Sequence, residues 1–171
     1  MDLVSQFIQI LTDIANDPLL YSIVFFLFSI AAAIILPIPV ELGLILSPAT
    51  PYWVLAVILG LGKAVGAGLV FKIGGTVEGP IRKYSERWRF FKRFVDFCEW
   101  FVAKLGYVGF YILLSIPLMS DTVPIYIFSV FNKEGKALHL WYFMLVNFLA
   151  GITRAASLWI LADMFGIHLF G

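Results

Sequence analysis

The sequence predicts an all-α integral membrane protein. Its expected plan is an inverted repeat, each half a re-entrant hairpin plus a transmembrane helix, with an amphipathic interfacial helix between the halves. Three observations predict it. The composition is 61% hydrophobic and 13% charged over 171 residues, with a mean hydropathy of +0.96, whereas a soluble domain carries about a quarter charged residues. Two apolar stretches are broken by proline beside an acid. Each is followed by a helix of spanning length with a base near its centre.

One membrane domain over 1–171 is expected, with a surface helix at 1–17, a first repeat at 18–75, a basic connector at 76–105 and a second repeat at 106–171. A net charge of +1 gives no reason to expect nucleic acid as a partner. The single cysteine, Cys98, excludes an intramolecular disulfide and a cysteine-based metal framework, and it reads as a small apolar filler. Asp2, Asp13 and Asp17 precede the first base, Lys63, so the basic start of a cleavable signal peptide is missing.

Leu3, Phe7, Ile10, Leu11 and Ile14 recur at helical spacing and suit a short helix on the membrane surface. Residues 18–40 carry no charge, and Pro37 and Pro39 break the helix just before Glu41. After a turn at 47–51, residues 52–75 form a full span holding Lys63 and Lys72. Its glycines, among them Gly60, Gly62, Gly66 and Gly68, allow close helix approach in lipid. Residues 78–105 hold seven of the twelve bases, and Pro80 and Gly106 are expected to open and close this helix. Phe90, Phe94, Phe97, Phe101 and Leu105 make a stripe opposite Arg89, Lys92, Arg93, Asp96 and Glu99, as on a helix at the headgroup boundary. A soluble helical linker is the alternative. Residues 107–131 are broken by Pro117, Asp121 and Pro124, and 140–162 form the last span, carrying Arg154.

Charge sets the expected topology. Bases gather on the cytoplasmic side, which places connector 76–105 in the cytoplasm of a multi-pass cell-membrane protein. Helix 52–75 then runs inward, and Lys133 and Lys136 bring 107–131 back to the cytoplasm as a hairpin. The acidic N-terminus is expected outside, with 18–46 entering and leaving there. Four ordinary spans with Lys133 outside remain the alternative.

The halves repeat. Pro37 and Glu41 match Pro117 and Asp121 at an offset of 80, and Gly60, Lys63 and Ala64 match Gly151, Arg154 and Ala155 at an offset of 91. Inverted repeats with broken helices place a transporter's site at the midplane, and non-helical backbone is tolerated there when it is buried or lines a wet cavity. Chance likeness among abundant small residues is the competing explanation. Glu41, Lys63, Asp121 and Arg154 fall at membrane depth, where each costs about 2.5–3.5 kcal/mol on insertion scales. They make either structural ion pairs or a substrate and proton pathway. In the pathway, Arg154 as a fork and Lys63 as a point charge receive an anion. The carboxyls are candidate proton carriers, because desolvation favours a neutral carboxyl. Pro37, Pro39, Pro117 and Pro124 mark the hairpin tips. His139 and His168 have no metal-ligand partner, and nothing points to a cofactor or an enzyme.

Pro39-Val40-Glu41-Leu42 with Pro48, and Gly106-Tyr107-Val108-Gly109 with Ser115-Ile116-Pro117-Leu118, resemble the two half-motifs of the small multidrug export family, within the DedA-like, VTT-type membrane protein superfamily. The glycine-rich 66–75 helix, with Phe71 inside it, is similar to that of the superfamily. The resemblance covers about residues 30–162. The tip Met119-Ser120-Asp121-Thr122-Val123-Pro124 departs from the family's proline- and glycine-rich one, and the DedA-type tip arginines are absent. The resemblance implies two facing re-entrant hairpins and the movement of lipids, phospholipid or polyprenyl-phosphate, between leaflets. Expected partners are membrane lipids, with protons as coupling ion and a homodimer left open. A proton-coupled exporter of small cationic drugs and a non-transporting membrane scaffold are the alternatives.

Overall fold

A computed structural model of the chain describes residues 3–34, 40–87, 89–117, 122–131 and 139–165. All regular structure among them is helical: α1 (Leu3–Asp13), α2 (Pro18–Ile34), a 3-10 turn (Val40–Leu44), α3 (Tyr52–Arg87), α4 (Arg89–Ser115), α5 (Thr122–Phe131) and α6 (Leu140–Met164). Over Tyr52–Ile73 and Leu140–Met164, α3 and α6 are long and apolar enough to cross a bilayer. The outer face of α3 shows Trp53, Val57, Leu61, Val65 and Leu69, each four residues apart and all exposed. A helix packed on a soluble core shows polar residues on that face.

The N-terminus of α2 is set by Asp17, whose Oδ1 accepts from the backbone N–H of Leu19 and of Leu20, both at 3.1 Å. Pro18 takes the first helical position, where its missing N–H costs nothing. The stripe of α1 is covered by protein: Phe7 and Leu11 are buried, and Phe7 meets Phe28 edge-on at 4.7 Å. Ile10 stays exposed.

Side-chain pairings give the helix directions. A Cβ on Gly62 would collide with Ser29, and one on Gly66 would lie 2.6 Å from the Cβ of Ala33, so α2 and α3 run parallel in close contact. Consecutive parallel helices require the chain between them to return. The described part of that connection does so, since Tyr21 donates to Gly43 O at 2.5 Å and Ser47 to Ala15 O at 3.1 Å. A second parallel contact joins α4 and α6. Beyond Gly106, residues 107–115 of α4 run parallel to α6, with Tyr107 beside Tyr142 at 5.8 Å and Phe110 stacked on Phe143 at 4.8 Å. Helix α5 turns back, its Phe128 ring 4.4 Å from that of Phe110. By contrast α3 and α6 are antiparallel, because Tyr52 reaches Ala155, Gly60 meets Gly151 and Gly68 meets Met144.

Two boundaries differ from the sequence reading. The helix expected to end by Gly75 continues through Pro80 to Arg87. An internal proline removes one hydrogen bond and crowds the carbonyl four residues back, which bends a helix without having to end it. Gly106 does break its helix, at φ 57 and ψ −135. Of the phenylalanine stripe, Phe97 and Leu105 have described side chains, and both are exposed. Phe90, Phe94, Phe101 and Cys98 lie outside the described side chains, and Lys133 and Lys136 outside the described residues.

Candidate functional site

Helices α3 and α6 cross where their glycines meet. A Cβ on Gly151 would lie 2.7 Å from the Cα of Gly60 and 3.3 Å from Cδ of Lys63. Lys63 and Arg154 each stand three residues past their crossing glycine, and each is buried, 2% and 1% exposed. The helices being antiparallel, the two bases lie on opposite sides of the crossing. Side chains lean toward a helix's own N-terminus, so both reach back toward it.

Arg154 Nη1 donates to Glu41 Oε1 in a buried ion pair that joins positions 113 residues apart. Its Nε donates to Leu114 O at 2.7 Å. That carbonyl belongs to the last turn of α4, where the final four carbonyls have no donor of their own and carry the negative end of the helix dipole. One arginine thus clasps the returning arm of the first half by a carboxylate and the broken helix of the second half by its backbone. Its neighbours are tied as well, Thr153 to Tyr111 at 2.5 Å and Ala155 O to Tyr52 at 2.6 Å. The guanidinium expected to receive an anion here serves two internal acceptors, through Nε and Nη1.

The predicted site residues fall as follows. Glu41 and Arg154 are brought together, and Lys63 is buried beside Gly151. Pro117 follows the end of α4, and Pro124 is buried in the first turn of α5, where a proline is tolerated. Asp121, Pro37 and Pro39 lie outside the described residues. Lys72 and Asp163 are exposed near the ends of the spans.

Four groups at the site escaped the sequence reading: the Leu114 carbonyl, Tyr52, Tyr111 and Asn147. Asn147 is fully buried and donates to Phe143 O at 2.8 Å, while its Oδ1 has no partner among the described residues. The carbonyl had a signal, because Pro117 ends its helix in an apolar stretch and the buried carbonyls left there require donors. No protein-family model matches the chain, and no curated protein or solved structure matches it either.

Proposed function

We propose that the chain is a multi-pass membrane protein whose two halves enter the bilayer from opposite faces as re-entrant hairpins. We further propose that it moves the headgroups of lipids, phospholipid or polyprenyl-phosphate in type, between leaflets along the polar seam where the hairpins meet. The observation that carries this reading is the Glu41–Arg154–Leu114 clasp, a buried charged junction between the two halves in a body with an apolar outside. The parallel pairs α2/α3 and α4/α6, set antiparallel to each other, support the inverted repeat. A junction drawing on both broken segments couples them, so that opening one loosens the other. Lys63, one turn past the crossing in the opposite direction, gives a passing anionic headgroup a second cation, and Asp121 is by sequence the counterpart of Glu41.

The test is purified protein in vesicles carrying a lipid labelled with a fluorophore on its headgroup, which a membrane-impermeant reductant bleaches from the outer leaflet. A scramblase lets bleaching go nearly to completion without an ion gradient. Movement only under a proton gradient would favour the coupled exporter of small cationic drugs, and bleaching stalled at the outer-leaflet fraction in both conditions would favour the scaffold.

A further inference from the structure

The spans carry aromatic girdles at both ends, and charge separates the ends. At the start of α3, Trp53 is 71% exposed. The antiparallel α6 brings Trp159 to that same end, 46% exposed. At the opposite end α6 shows Trp141 and Tyr142, 77% and 60% exposed, and Trp100, 57% exposed, lies on α4 six residues before the Gly106 break. Between the girdles the exposed large residues of α3 and α6 are apolar, among them Leu61, Val65, Leu145 and Leu149. Trp141 and Trp159 are 18 residues apart, a rise of about 27 Å at 1.5 Å per residue. Trp53 and Lys72 are 19 apart on α3, about 29 Å by the same rise. Two independent helices therefore give one thickness, close to the roughly 30 Å of a bilayer's hydrocarbon core.

The rims differ in sign. Exposed Asp13, Asp17 and Asp163 border the Trp53/Trp159 girdle, and exposed Lys72 and Lys104 border the Trp141/Tyr142 girdle. Lys104 sits over the Trp100 ring at 5.2 Å, an ammonium held on an aromatic face at that rim. Tryptophan and tyrosine favour the headgroup level because one edge is polar and the body apolar.

The geometry points to a lipid interface with two unlike rims: an apolar band about 27 Å tall, an acidic aromatic girdle facing one leaflet and a basic one that gathers anionic headgroups from the other. This holds whether or not the protein moves lipid. It also gives the buried charges their depths. Lys63 falls within a few ångströms of the middle of the band. The backbone of Arg154 lies five residues from Trp159 and thirteen from Trp141, about 6 Å nearer the acidic girdle than the middle.

The probe is tryptophan fluorescence in vesicles of brominated phospholipid. Three proteins are compared: one keeping only Trp141, one keeping only Trp159, and one with Leu149→Trp as its sole tryptophan, the others replaced by phenylalanine. Trp141 and Trp159 are expected to lose most of their signal to bromines near the headgroup, and Leu149→Trp to bromines at the chain ends. When only a minor anionic lipid is brominated, Trp141 should be quenched more than by the same fraction of a brominated neutral lipid. That excess should vanish in Lys72→Gln/Lys104→Gln, and Trp159 should show none. If a variant loses helicity, nitroxides on single cysteines at 141, 149 and 159 in a Cys98→Ser protein read the same depths. Quenching of Trp141 and Trp159 by aqueous acrylamide alone, or equal response of both girdles to anionic lipid, would overturn the proposal.

Discussion

Arg154 is a cation with two acceptors of different kinds, a carboxylate and a backbone carbonyl at the open end of a helix. Removing one partner of a buried pair leaves an uncompensated charge, at a cost of about 3–5 kcal/mol. Glu41→Ala is therefore expected to lower the melting temperature in detergent sharply, and Glu41→Leu combined with Arg154→Met to recover much of it. Glu41→Gln keeps an acceptor of the same shape, so its loss in melting should be smaller while lipid movement falls steeply. Full lipid movement in Glu41→Gln would leave the pair a structural one. Arg154→Lys is expected to be impaired too, because one ammonium on a flexible stem replaces a planar fork that serves two acceptors in fixed directions. The charges themselves were legible from the sequence, since Glu41 and Arg154 are conspicuous in apolar surroundings. Their pairing was not, because two acids and two bases allow more than one match, and the Leu114 acceptor is backbone that no side-chain identity announces.

At the scale of elements, two glycines give opposite tests. Gly151 has a helical backbone and no room, its would-be Cβ lying 2.7 Å from Gly60. Gly106 has open space around it and a positive φ of 57°. Gly151→Leu should push α3 and α6 apart and destabilise the fold by about 1–3 kcal/mol or more, as overpacked cores do. Gly106→Ala should cost about 1–3 kcal/mol through backbone strain alone. Replacing Gly106 with D-alanine by chemical ligation should remove that cost. Thermal melts of the three proteins in one detergent check both statements. The helices at 52–73 and 140–164 were legible from length and hydropathy, and the Gly106 break from its position at the edge of the basic stretch. The continuation of α3 through Pro80 was not, since a proline marks a bend as readily as a helix end.

For the whole molecule, the unreadable question was whether 18–46 and 107–131 cross or turn back. The 17 residues of α2 rise about 26 Å, a length that suits a short span as well as a deep hairpin arm. The deciding information is relational, namely which faces of α2 and α3 meet and in which direction, and no single segment carries it. Parallel contact of α2 with α3, and of residues 107–115 with α6, supports the proposal that both segments turn back. Topology in a membrane tests this most directly. In a Cys98→Ser protein, single cysteines are introduced as Asn16→Cys, Ala49→Cys, Lys104→Cys and His139→Cys, all at exposed positions. A membrane-impermeant thiol reagent is applied to intact cells and then to permeabilised ones. Opposed hairpins predict that positions 16 and 49 label from outside, and that 104 and 139 label only after permeabilisation. Labelling of 16 and 49 from opposite faces, or of 104 and 139 from opposite faces, would contradict the account.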